Sequence, residues 1–563
     1  MIKIIQRLEF EDVFPEEKKE DTLEYLSKVS KKTLLKSIGF FNTREVPNFD
    51  NFFSNPEIAK DIYDRVVNYS KINIVKNKPE TVSRQASLKL AELILSNKKK
   101  LLEENKNSSI DDDEINLFKA FLVVNRELNK NQELGNTSDS NFEKLVDFSI
   151  IFNFPISDLA IFENDDLEFL KLIYTTLVKV EQLFEFLNSK LVFSTLKNHL
   201  IKSFNTANQE DFFKEMKYLF GKLLELKTSN NYIFKVDDAK SELFLTSMIS
   251  DDIVTDEDFT YIKIHPLYQI EKHTYSIINY FYIVDKFYRS SKFKLKEIYE
   301  SDSILKSKYG NFFSFFNKEF SENFLMKNIL DDIFNKQYFI KKLETEKELD
   351  GEPDYYLRQN NNVFIFENKD VLIAKAIKAS ADIEQINQVL KTKFLGDEKH
   401  KVGIGQLINT TEEILEKKFR FDPYVNSKNN LKIYPILLVH DRIFQTLGIN
   451  YRLNSWYLEN LKKRLGDNYD LSNIKSLTVI DIDTLILWSP YLKEKDNRFK
   501  EILDNHLKKL NTKFKINTSD YQYGLVLVNK RLTEKITPIT YREIPYQLPT
   551  KLFVDKFRDV LKE

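Results

Sequence analysis

Cysteine is absent from the 563-residue chain, which excludes disulfides, thiolate zinc sites and a cysteine nucleophile. A reducing cytoplasm is the expected compartment. Glycine and proline are scarce, 11 and 13 residues, so neither a Gly-rich phosphate cradle nor a Pro-rich linker is expected. No GxxxxGK[ST] or GxGxxG occurs; the nearest cluster, Val402-Gly403-Ile404-Gly405, lacks a third glycine. No run reaches the roughly 18 apolar residues of a membrane helix, and segments such as "YSIINYFYIV" end at charges. The start, "MIKIIQRLEFEDVF", has no apolar stretch of signal-peptide length. A membrane partner is therefore not expected. Charge of one sign is not in excess: 85 basic and 86 acidic residues give a net charge of -1. That argues against a chain-wide grip on nucleic acid and leaves a local basic face open. The six histidines show no HxxxH, HxH or HExxH spacing, and no GxSxG is present, so histidine-held zinc and a serine nucleophile are not expected.

What remains is an ordinary globular composition, 42% hydrophobic and 30% charged, on a chain long enough for two or more domains. To about residue 255 the spacing is helical, as in "SRQASLKLAELILSNKKKLLEE" and "LEFLKLIYTTLVKVEQLFEFLNSKLVF". Residues 104–114 and 129–141 read as polar breaks. Ser108 and Ser109 before Asp111, Asp112, Asp113 and Glu114 read as a helix start, with a metal-binding acidic cluster as the less favoured alternative. Most of the 46 Phe and 27 Tyr sit at helical spacing among Leu and Ile, which suits core packing better than base stacking.

From 256 to 300 the texture turns aromatic and β-branched: "FTYIKIHPLYQI" reads as strand, and "TYSIINYFYIV" as strand or helix. Residues 311–334 return to helical spacing, with Phe316, Phe320, Phe324, Leu325, Ile329 and Ile333 on one broad side. Three strand-like runs follow: 338–349, "DYYLRQ" and "VFIFENK". Then come an amphipathic segment over 371–395, a helix "GIGQLINTTEEILEKKF", a buried strand "KIYPILLVH", and "SLTVIDIDTLILW", a strand running into a helix. The order α-β-β-β-α-(α)-β calls for a mixed sheet flanked by helices.

Within it lies "GEPDYYLRQNNNVFIFENKD", residues 351–370. Residues two apart on a strand share a face, so Glu367 and Lys369 point one way and Asn368 the other. The Asn-rich turn returns the chain beside Asp354. Two carboxylates and an ammonium then converge at one end of the sheet. Close carboxylates repel unless a cation lies between them, and Mg²⁺ favours one or two carboxylates with waters and phosphate oxygens. A water on such an ion loses its proton more readily, and a neighbouring lysine stabilises charge growing on a phosphate. The plainer reading is an ion pair ending an edge strand.

The Pro353-Asp354 pair, the interval to Glu367, and Glu367-Asn368-Lys369 resemble the motif of the PD-(D/E)XK, restriction-endonuclease-like, nuclease superfamily. The resemblance covers about a third of the chain. It implies an αβββαβ nuclease core at about 311–490, inside an expected domain of 256–563 with a C-terminal extension; the mainly helical region 1–255 read from its spacing is then the expected sensing or partner domain, such as this superfamily often attaches. It implies that Asp354 and Glu367 hold Mg²⁺, with Mn²⁺ as the substitute, and that Lys369 works on the attacking water. Glu322, or Glu319 as second choice, is the accessory acid of the first core helix, and Gln406 the orienting glutamine of the later one. The implied activity is endonucleolytic hydrolysis, with double-stranded DNA as the expected substrate, RNA as the alternative, and defence against phage or mobile elements as the setting. A catalytically inactive module binding nucleic acid or a partner is the rival reading. The helical region is the expected surface for a homo-oligomer or protein partner.

Outside the motif, Asp481 and Asp483 suit a helix cap better than a metal. Lys375 and Lys378 stand open between phosphate contact and a solvated helix face. His440 either lines the cleft or is packed or solvent-facing, the second reading being preferred.

Overall fold

The computed structural model describes residues 7–558 except 44–45, 74–77, 104–107, 135–141, 156, 158–165, 257, 336–339, 343–351, 398–399, 512–523, 525–526, 529, 533–538 and 540–548. Among the described residues the chain is mostly helical, with two small sheets. No helix among the described residues is long and apolar enough to cross a membrane.

Among the described residues the buried apolar side chains form two cores. One gathers Leu8 to Val124 with Ile253, Phe259, Ile262, Ile278 and Tyr282. The other runs from Leu145 to Phe557 and holds the long helix Asp166–Ser189 together with both sheets. Residues 145–250 therefore share their core with the C-terminal half. Ser109 starts the helix Ile110–Leu134, its hydroxyl accepting the Asp112 N–H at 3.0 Å. Asp113 is buried and accepts hydrogen bonds from Ser30, Thr33 and Ser108. At that helix start Ser109 is the cap and Asp113 a buried acceptor.

The region 256–300 corrects part of the strand reading. Thr260–Ile264 is helical, and the aromatic run divides into strand Thr274–Ile277 and helix Tyr280–Tyr299. The division falls at Asn279, whose side chain accepts the N–H groups of Phe281 and Tyr282 and so caps the helix. Strands β1 (Ile233–Lys235), β2 (Leu267–Glu271) and β3 (Thr274–Ile277) form an antiparallel sheet with β3 central.

The second sheet is mixed, in the order β4 (Ile340–Lys342), β5 (Tyr355–Gln359), β6 (Asn362–Lys369), β7 (Lys432–Val439) and β8 (Thr478–Asp481). Of the first strand-like run, 338–349, only Ile340–Lys342 lies within the described residues. The first two pairings are antiparallel and the last two parallel. β6 and β7 are buried on both faces through most of their length, as central strands of a covered, partly parallel sheet are. Asn360 makes the turn between β5 and β6 at φ 55°, a left-handed conformation asparagine tolerates. The chain before β4 is one rod of three windings, Phe312–Phe315, the π-wound Phe316–Met326, and Lys327–Phe334, burying Phe316, Phe320, Leu325, Ile329 and Ile333.

The segment 371–395 is not one helix. It breaks into Lys375–Lys378 and Ile383–Phe394 at Ala381, φ 52°, where the Asp382 side chain caps the second helix. Helix Ile404–Leu415 completes the crossover to β7.

Candidate active site

The register Tyr355↔Phe366 puts Asp354, one residue before β5, beside the end of β6. Asp354 Oδ2 accepts the Asn368 N–H at 2.7 Å. Glu367 and Lys369 lie on one face of β6, with Lys369 Nζ 3.6 Å from Glu367 Oε2. Glu367 is 1% exposed, and its Oε2 accepts no hydrogen bond.

These groups feel one another strongly. Burial raises the Glu367 pKa well above the usual carboxylate value, and the Asp354 and Glu322 charges add to the rise while Lys369 opposes it. Burial alone would lower the Lys369 pKa. The carboxylates of Asp354, Glu367 and Glu322 outweigh burial and hold it above the ordinary lysine value. Lys369 is therefore an ammonium, suited to meet negative charge rather than to remove a proton.

Glu322 belongs to the π-wound segment and acts on both Glu367 and Lys369. Its neighbour Ser321 donates to Asp370 Oδ2 at 2.6 Å on the other face of the strand. Glu319 points elsewhere, pairing with Lys190 at 3.2 Å. Gln406 sits in the first turn of Ile404–Leu415, and its Oε1 accepts the Gly403 N–H at 2.7 Å. A Cβ on Gly403 would lie 3.2 Å from Lys369 Cε, so this helix start packs against the lysine stem. Gln406 thus reaches the site's border as a cap of its own helix.

The opposite face of β6 carries a polar network that sequence reasoning missed. Asn368 Oδ1 meets His440 Nε2 at 2.7 Å, and Asp370 pairs with Lys292 at 3.0 Å. Despite burial, Lys292, His440 and Ser321 pull the Asp370 pKa down to about 2. Burial lowers His440 to about 4, which makes it a neutral core histidine. The alternation in Glu367-Asn368-Lys369-Asp370 already placed Asn368 and Asp370 together; nothing local pointed to Lys292, 78 residues upstream of Asp370.

Asp481 caps the helix Ile482–Leu492 through the Thr484 N–H at 2.9 Å, and Asp483 pairs with Lys179 at 2.7 Å. Lys375 pairs with Asp256 at 3.1 Å and Lys378 with Asp258 at 2.6 Å. Lys378 is buried, so neither phosphate contact nor a solvated face describes it.

The donor set suits a hard divalent cation. It is all oxygen, two carboxylates face each other, and one buried carboxylate oxygen accepts no hydrogen bond. Among the described residues, no group of three or more His, Asp or Glu is arranged to hold a metal. A cation here would be held by two protein carboxylates, the usual number for Mg²⁺ with waters and phosphate oxygens. The chain matches no protein-family model, no curated protein and no solved structure.

Proposed function

We propose that the protein is a Mg²⁺-dependent PD-(D/E)XK-type endonuclease, cutting phosphodiester bonds in double-stranded DNA in the setting of defence against foreign DNA. The convergence of Asp354, Glu367 and Lys369 at the end of β6 carries this reading. The order helix, three antiparallel strands, helices and a parallel strand supports it, since that is the core the motif implies.

Asp354 and Glu367 would hold the cation, and Glu322 adds negative charge beside them. When bound, the ion supplies Lewis acidity toward phosphate and water. Lys369 stands ready to neutralise charge on the phosphate, its stem braced by Gly403. Water adds to phosphorus, one P–O ester bond breaks, and the departing oxygen takes up a proton.

The test is plasmid nicking or linearisation with Mg²⁺, alongside a duplex RNA. Lys369→Ala is expected to lower DNA cleavage by about 10²-fold or more, as the loss of a charge-stabilising donor does elsewhere. Equal cleavage by both proteins, or none by the wild type, would return the chain to the binding-module reading. Cleavage of RNA alone would change the substrate and keep the chemistry.

A further inference from the structure

A cavity of about 620 Å³ lies beyond the C-terminal ends of β6 and β7. Its walls include Ile264, Lys286 and Phe293, with Ile373 and Ala374 following β6 and Ile443 following β7. The carboxyl ends of parallel strands are a habitual place for small ligands, and this volume falls in their range of about 300–1,000 Å³.

The cations of the lining are not equivalent. Lys263 and Lys378 pair with Asp258, Arg289 with Asp441, and Lys375 with Asp256. Lys286 is 4% exposed, donates to the Ile264 carbonyl at 2.6 Å, and pairs with no carboxylate among the described residues. An ammonium buried without an anion is unfavourable, and a bound anion relieves that cost. Burial, aided by Lys294, lowers the Lys286 pKa to about 7, which is how the fold tolerates it without ligand. Phe293 is 44% exposed and borders the same cavity, offering an aromatic face.

We propose that this cavity binds a small organic anion, one carboxylate, sulfonate or phosphate on a flat apolar body, with Lys286 as counter-cation. The apolar walls favour such a body over an inorganic ion, and the volume excludes a polynucleotide. The site shares no residue with the hydrolytic group and stands whether or not that reading holds.

The probes are 8-anilinonaphthalene-1-sulfonate and its uncharged relative N-phenyl-1-naphthylamine, titrated by fluorescence into the full chain. Wild type is expected to bind the sulfonate saturably at one site. Lys286→Met is expected to weaken that binding about tenfold or more, as loss of a charged hydrogen-bond partner does, while leaving the uncharged probe nearly unchanged. Lys286→Arg retains the sulfonate. Ala374→Trp, at an exposed position of the lining, weakens both probes and keeps the test available should Lys286→Met not fold. Absence of saturable binding by wild type, sulfonate affinity unchanged in folded Lys286→Met, or indifference to Ala374→Trp would each overturn the proposal.

Discussion

Asp354 Oδ2 accepts the N–H of Asn368, the residue between Glu367 and Lys369, at 2.7 Å. The acid just before β5 thus holds the β6 backbone that presents the other two groups. Charge and architecture meet in one side chain and separate by mutation. Asp354→Asn keeps an oxygen acceptor and removes the charge. It is expected to abolish Mg²⁺-dependent cleavage while the melting temperature changes little. Asp354→Ala loses the acceptor too, with a further loss of about 1–3 kcal/mol in denaturant unfolding. Full cleavage by Asp354→Asn would remove it from the metal-holding role.

Glu367 yields a pH signature. Its folded-state pKa is raised, so above the ordinary carboxylate range the folded chain holds a proton that the unfolded chain has lost. Stability of the metal-free protein therefore falls as pH rises through that range. Mg²⁺ is expected to offset the loss, raising the melting temperature more at about pH 8 than at about pH 5. Glu367→Gln flattens the slope and removes the Mg²⁺ response. Calorimetric melts with EDTA and with Mg²⁺ read both.

Gly403 tests positioning without removing a functional group. Its φ is +48°, and a Cβ would meet Phe394 O at 2.9 Å and Lys369 Cε at 3.2 Å. Gly403→Ala is expected to cost about 1–2 kcal/mol in strain and to lower cleavage as Lys369 shifts. Gly310, with φ +76° and nothing within 4 Å of a Cβ, is the control. Gly310→Ala should lose stability and keep full cleavage. Equal cleavage in both variants would show that the helix start does not position the lysine.

Glu92 provides a pH effect away from the site. It is fully buried, neither carboxyl oxygen accepts a hydrogen bond, and Lys89 Nζ is 3.9 Å distant. Burial raises its pKa from 4.5 to about 8. The folded chain holds this proton over that interval, so stability is lost as pH rises from 4.5 toward about 8 and levels off above. Glu92→Gln should be the more stable protein at high pH, by a margin that Mg²⁺ does not alter. A margin independent of pH would show that the acid is ionised when folded.

Much of the candidate site was legible because its logic is local. Alternation along β6 is enough to put Glu367 and Lys369 on one face, and the apolar run of β7 is enough to mark a covered strand. Caps at Ser109 and Asp481 need only a polar side chain three residues before a helical N–H. The failures at Thr260–Ile264 and Ala381 were also local, since aromatic, β-branched segments suit helix and strand alike, and period alone does not reveal a left-handed break.

By itself, then, the sequence determined which side chains share a strand face and where capping residues begin helices, because those follow from geometry spanning a few residues. Only the tertiary structure decided that Lys292 neutralises Asp370, that Glu319 is engaged by Lys190 while the Glu322 charge acts on Glu367, and that Lys286 lines a cavity with no carboxylate paired to it among the described residues. Those relations join residues far apart in the chain, and burial sets their strength; neither leaves a periodic trace in the residues themselves.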